Sequence, residues 1–156
     1  VIAIARVLGM KVLVASRTPR RWDDDEIENA PLDELLRRSD FVTIHCPLTP
    51  QTRHLIDRSK LTRMKPTAYL INTARGAIIR ESDLIEALRT GRIAGAALDV
   101  QETEPPAPDS PLYTLDNVIL TPHIGWKPLE SRRRLIRMIA EIIRAFDSGH
   151  PIHLIV

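Results

Sequence analysis

The chain has 156 residues, 44% of them hydrophobic, which suits one ordinary domain with a core of its own and is too few for two. Twenty-two Lys and Arg against 20 Asp and Glu leave a formal charge of +2 and a sequence pI of about 9.0, a balance too mild to call for nucleic acid by itself. The single cysteine, Cys46, excludes an internal disulfide and fits a reducing compartment such as the cytoplasm, and no apolar run approaches the roughly 18 residues of a membrane span.

Val1, Ile4, Ala5 and Leu8 recur at helical spacing and Gly9 offers a left-handed turn, so the sequence opens on the end of a helix. It begins with Val1 in mid-pattern rather than with a start methionine, which leaves an upstream targeting signal open. KVLVAS (11–16) is rich in β-branched residues and reads as a strand, while PLDELLRRS (31–39) reads as a helix with proline in its first turn. DFVTIHC (40–46) is a second strand, residues 57–64 a helix stopped at Lys65-Pro66, and TAYLINT (67–73) a third strand. ESDLIEALRTG (81–91) is a helix ended by glycine; with Arg80 before it, Ser82 is the candidate cap. AGAALDV (94–100) and VILT (118–121) are two more strands, and Pro128 opens a long helix running to Gly149. That last helix carries the arginines of ESRRRLIRMIAEIIRAF on a polar face opposite Leu135, Ile136, Ile139, Ile142, Ile143 and Phe146, so they read as a solvated face and not as a nucleic-acid surface.

Strands that are continuous apolar runs, separated by helices of about ten residues, indicate an α/β fold with a doubly wound parallel sheet covered on both faces. In such sheets the ligand crevice lies at the carboxyl ends of the strands. The unusual residues of the chain collect there: Ser16-Arg17-Thr18 after the first strand, His45-Cys46-Pro47 after the second, Thr73-Ala74-Arg75-Gly76 after the third, then Asp99 and His123. The proline-rich QETEPPAPDSP (101–111) is a loop long enough to suggest function. A metal site at His45 and Cys46 is not expected, because adjacent strand residues point to opposite faces.

INTARG (71–76), GRIAGAALDVQETEP (91–105) and LTPHIG (120–125) resemble signature segments of the D-2-hydroxyacid dehydrogenases, and HCPLTPQTRHLI (45–56) is similar to another block of that family. Four blocks in order cover nearly the whole chain. The resemblance implies a Rossmann-type fold and reversible hydride transfer between a nicotinamide cofactor and a 2-oxo or 2-hydroxy acid. It assigns catalytic roles to Arg75, Glu104 and His123. Arg75 has the planar fork of donors that suits a substrate carboxylate. His123 is a general acid and base for the carbonyl oxygen, with Pro122 and Gly125 beside it implying a shaped backbone. Glu104 would accept from the other imidazole nitrogen; spacing alone does not separate it from Glu102, and the family's Glu-Pro position does.

The same resemblance places the cofactor against Ser16, Arg17, Thr18, Cys46, Pro47, Thr73, Ala74, Arg75, Asp99, His123 and Gly125, with Asp99 taking the nicotinamide carboxamide. NAD enzymes of this fold commonly carry an acid after the second strand of the domain. ASRTPRR (15–21) lacks it and offers Arg17, Arg20 and Arg21, so NADP(H) is favoured over NAD(H) unless these arginines are only a solvated turn. Trp126 after HIG and the 45–56 block look most like the glycerate dehydrogenase and hydroxypyruvate reductase branches, which implies hydroxypyruvate or glyoxylate as substrate and a homodimer as the assembly. Phosphoglycerate dehydrogenase, a dinucleotide-sensing co-repressor and an inactive fragment are the alternatives.

Two features of the family have no counterpart in these residues: the glycine-rich turn with the strand before it, and the substrate domain. Residues 1–149 are therefore expected to be a dinucleotide-binding domain incomplete at its N-terminus, and 150–156 a tail returning toward a substrate domain. In the usual order 3-2-1-4-5-6 the strand without a counterpart is central, so two half-sheets are expected, within a longer polypeptide. Gln101, where an aromatic is common, is expected to alter packing beside Glu104.

Overall fold

The computed structural model describes residues 1–154; of the expected tail, 155 and 156 lie outside the described residues. The chain divides into two compact units, Val1–Thr121 and Pro122–Val156. In the first, α1 (Ile2–Val7) is followed by β1 (Val12–Val14), β2 (Ile27–Asn29), α2 (Leu32–Arg38), β3 (Phe41–Ile44), α3 (Arg58–Leu61), β4 (Tyr69–Asn72), α4 (Glu81–Arg89), β5 (Gly95–Leu98) and β6 (Val118–Leu120). Single 3-10 turns at Gly76–Ile78 and Pro111–Thr114 follow β4 and precede β6.

All strand pairs are parallel, and they form two sheets, β1-β2 and β3-β4-β5-β6. This is the α/β architecture expected of a Rossmann-type domain, in the two halves that the strand arithmetic required. Among the described residues β1 pairs only with β2, and β3 only with β4.

β2 was not legible in the sequence. Its IEN has one half-buried side chain, Ile27, and no apolar run. It is placed by its surroundings: the Ile27 amide donates to the Asp24 carbonyl at 3.0 Å, and the Asp24 carboxylate takes the Glu26 amide at 2.9 Å and Arg6 Nε at 2.7 Å.

The core lies on one face of the larger sheet. Val42, Ile44, Leu70, Ala96 and Leu98 are buried with Leu36 of α2, Leu61 of α3 and Leu84, Ala87 and Leu88 of α4. Each such leucine or isoleucine contributes about 1.5 to 3 kcal/mol on burial. α2, α3 and α4 all contribute to this cluster. On the sheet's other face, among the described residues, Phe41, Tyr69 and Ile119 are exposed at 53%, 46% and 68%. The Phe41 and Tyr69 rings stack there, 5.8 Å apart.

Capping also departs from expectation. Pro31 and Pro128 stand at the N-cap, just outside their helices. Neither Arg80 nor Ser82 caps α4; its first amide, Glu81 N, donates instead to the carboxylate of Glu102, at 2.9 Å.

The second unit holds α5 (Leu129–Asp147), with Glu130 in its first turn and Arg144 in its last, both favourable to the helix dipole. Its apolar stripe of Leu135, Ile136, Ile139, Ile142, Ile143 and Phe146 is exposed. No helix among the described residues is long and apolar enough to cross a membrane.

Candidate functional site

The segments that leave β3 and β4 are stitched to one another by main chain. His54 N donates to Ala77 O at 2.8 Å and Ile56 N to Ile78 O at 3.1 Å, and Arg80 N returns to Ile56 O at 3.0 Å. The β3 segment is itself braced by Thr52, whose hydroxyl donates to Pro47 O at 2.7 Å and accepts from Thr49 N at 2.7 Å. Cys46 and Pro47 therefore stand on a fixed turn. Burial pushes the Cys46 thiol up, which keeps it protonated and unreactive.

Asn72, the last residue of β4, is fully buried and builds the turn that follows. Its Nδ2 donates to Arg75 O at 3.0 Å, and its Oδ1 accepts from Ala74 N at 3.0 Å. Thr73 and Arg75 are exposed on this turn. The Arg75 guanidinium donates to the Ala74 carbonyl at 2.7 Å and has no carboxylate partner among the described residues.

Gly76 explains the residue after it. A Cβ at this position would overlap the carbonyl of Gln101 and stand 2.5 Å from the Glu102 amide nitrogen. The turn carrying Arg75 and the loop carrying Glu104 thus meet backbone to backbone. On that loop Glu104 is exposed, its Oε1 accepts from Gln101 N at 3.1 Å, and the Glu104–Pro105 peptide is cis. The Gln101 side chain, where an aromatic was the commoner choice, has its Oε1 buried without a hydrogen-bond partner. The space enclosed by Asn72, Gly76, Gln101 and Glu102 is only about 10 Å³, too small for a substrate.

Asp99 follows β5 and is 8% exposed, and Thr121 Oγ1 donates to its Oδ1 at 2.5 Å. The main chain fixes both partners: Asp99 N donates to Asn72 O and Thr121 N to Leu98 O, each at 3.0 Å. In the second unit, half-buried His123 has φ 51°, so the histidine itself takes a left-handed backbone. The Lys127 amide closes the turn onto Ile124 O at 2.8 Å.

At the exit of β1, Ser16, Arg17 and Thr18 are exposed, and Ser16 Oγ donates to Thr18 O at 2.7 Å. Asn29, ending β2, holds the next stretch by donating to Arg20 O at 2.6 Å and accepting from Trp22 Nε1 at 3.3 Å. An open cleft of about 430 Å³ lies here, lined by Arg20, Arg21 and Trp22 and by Asp24, Asp25 and Glu28. Arg17, Arg20 and Arg21 have no ion-pair partner among the described residues. The acids on the cleft's far side make it mixed in charge.

Sequence reasoning missed Asn72, Thr121, His54 and Glu102 as organisers of the site. A polar residue ending an apolar strand was the available signal for Asn72. For the other three there was none, because their partners lie 22 and 48 residues away.

Residues 1–125 match the model of the D-isomer specific 2-hydroxyacid dehydrogenase, NAD binding domain. A hydroxypyruvate reductase of Blautia hydrogenotrophica is 40% identical over 154 residues, 97% of this chain and 48% of that protein. A glyoxylate reductase of Aeropyrum pernix is 47% identical over 148 residues, 94% of this chain and 44% of that protein. Among solved structures, a D-isomer specific 2-hydroxyacid dehydrogenase from Xanthobacter autotrophicus Py2 in complex with NADPH and MES is 37% identical, with a TM-score of 0.85, covering 97% of this chain and 62% of that one. The chain spans less than half the length of the two curated relatives. With strand-end turns, parallel sheet and matched residues all agreeing, the chain belongs to the D-isomer specific 2-hydroxyacid dehydrogenase family, as its NAD-binding domain.

Proposed function

We propose that this domain serves an enzyme that reversibly reduces small 2-oxo acids, with hydroxypyruvate and glyoxylate as substrates. The observation that carries the reading is Arg75: an exposed guanidinium at a strand end, with no carboxylate partner among the described residues, on a turn pressed against the loop of Glu104. The names of the two relatives support the substrate class.

A reduced nicotinamide held here would supply the hydride for reduction of the carbonyl carbon. Arg75 holds the substrate carboxylate through paired N–H donors and polarises the adjacent carbonyl. His123 holds the proton that the carbonyl oxygen takes up, and accepts it in the oxidative direction. Glu104 orients the imidazole and fixes its tautomer. The donor set fits a nicotinamide cofactor: a buried carboxyl at Asp99, a braced turn at Cys46 and Pro47, and the turn of exposed Thr73 and half-buried Ala74. Ser16, Arg17 and Thr18 face the adenosine end, and the unpaired Arg17 favours the 2′-phosphate of NADP(H) over NAD(H). A homodimer formed through this domain, in the cytoplasm, completes the reading.

The test is steady-state turnover of a 2-oxo acid panel with NADPH and NADH. Hydroxypyruvate and glyoxylate should lead, Arg75→Ala should abolish turnover, and Arg17→Asp should move the preference toward NADH. Turnover unchanged in Arg75→Ala would overturn the reading; an unchanged cofactor ratio in Arg17→Asp would overturn only the NADP(H) preference.

A further inference from the structure

Glu102 has no place in the chemistry above, yet its carboxylate is tied to two other segments of the chain. Its Oε1 lies 2.5 Å from His54 Nε2, and its Oε2 accepts from Glu81 N at 2.9 Å. Its own amide donates to the Glu81 carboxylate at 3.0 Å, so the two glutamates exchange main-chain bonds. His54 is fixed in turn: its φ is 54°, and its amide is bonded to Ala77. Both side chains of the His54–Glu102 pair are mostly covered, at 26% and 27% exposure. Three separate segments thus converge on one carboxylate, two residues from Glu104 in the chain.

We infer that Glu102 and His54 form a clasp that positions Glu104, making both of them positioning residues for the reaction proposed above. Gly76 allows the close approach of Gln101, and Glu104 Oε1 accepts from the Gln101 amide. With both carboxylate oxygens of Glu102 occupied by donors from elsewhere, the 101–104 main chain is held in place, and Glu104 with it. The charged groups around the clasp are His54, Arg53 and Glu81; burial opposes ionisation of Glu102, while the Glu81 amide, His54 and Arg53 together hold its carboxyl below the ordinary carboxylate range. A plainer role, capping α4 for stability, uses the same contact with Glu81, so the experiment must separate the two.

This inference rests on Glu104 acting as the partner of the proton-transferring imidazole. The experiment is made on the intact protein with glyoxylate and NADPH. Glu102→Gln keeps the size and one acceptor but weakens the His54 contact; His54→Gln cuts the clasp from the other end. Displacing a group far from the chemistry by about 1 Å costs up to ~100-fold in rate. Either variant should therefore lower kcat by roughly 10- to 100-fold at nearly unchanged KM for glyoxylate. Each should also shift the pH profile of kcat, and speed hydrogen exchange at the amides of residues 101–103. The double variant should lose no more than the worse single one, because both cut one contact. A fall in melting temperature with kcat and pH profile unchanged would overturn the clasp and leave only the cap. Glu104→Gln distinguishes the layers: if it leaves turnover intact, the role of Glu104 itself is wrong, whereas if it lowers turnover and Glu102→Gln and His54→Gln do not, only the clasp fails.

Discussion

Gly76 and Gln101 are in main-chain contact so close that no side chain fits between them. The first belongs to the turn after β4 and the second to the loop after β5, so this one contact joins the segments of Arg75 and Glu104. An alanine at 76 must push the loop away, and overpacking of this kind costs roughly 1 to 3 kcal/mol, at times more. Gly91 is the control: its φ is 64° with nothing within 4 Å, so alanine there costs only about 1 kcal/mol of backbone strain. Chemical denaturation should rank Gly76→Ala as the more damaging and show turnover lost with it. A Gly76→Ala protein as stable as Gly91→Ala would mean that the loop yields freely.

Asn72 makes the turn that presents Arg75, through two hydrogen bonds from a fully buried amide. Asn72→Ala leaves the Ala74 amide and the Arg75 carbonyl to find other partners, at roughly 2 to 3 kcal/mol for the pair. Asn72→Asp still accepts from Ala74 but sets a carboxyl against the Arg75 carbonyl, so it should recover little. Both should raise KM for the 2-oxo acid as Arg75 moves. Melting temperatures alongside KM would check this, and an unchanged KM in both would detach Asn72 from the site.

What the sequence made legible follows from where the determining interactions lie. β3, β4, β5 and α4 declare themselves through their own side chains, as apolar runs and helical spacing. The turn residues Arg75, Asp99 and His123 stand out because charged or titratable groups interrupt apolar strands. β2 is invisible because its position depends on pairing with β1 and on the Asp24 turn, neither of which leaves a local pattern. The same holds for the cap of α4, which comes from Glu102, 21 residues further along.

Thr121 carries the partner of Asp99. Its hydroxyl donates to a carboxyl that is 8% exposed, and β6 holds it there by the bond from its amide to Leu98 O. Thr121→Val keeps the shape and removes the donor, at about 1 to 3 kcal/mol for a hydrogen bond to such a group. If Asp99 also receives the cofactor's carboxamide, NADPH should bind more weakly in the variant. Fluorescence titration of NADPH against both proteins measures this directly. Unaltered affinity with lowered stability would confine Thr121 to a structural role.

Acid should loosen α3 through its cap, Asp57. The carboxylate takes the Ser59 hydroxyl at 2.6 Å and the Lys60 amide at 3.1 Å. The Ser59 bond is the largest influence holding this carboxyl below its usual range, with the Lys60 and Ser59 amides and the Lys60 charge adding to it against desolvation. A carboxyl whose folded value is depressed stabilises fully above the unfolded value, and the contribution is lost as pH falls through the folded value. Asp57 therefore supports the fold at neutral pH and withdraws that support on the acid side of the ordinary carboxylate range. Asp57→Ala should cost about 1 kcal/mol at pH 7. The difference from the parent should shrink as the pH is lowered, because protonation removes from the parent what the substitution has already removed. Denaturation midpoints from pH 7 downward provide the check, and a constant difference across the series would show that the cap does not depend on charge.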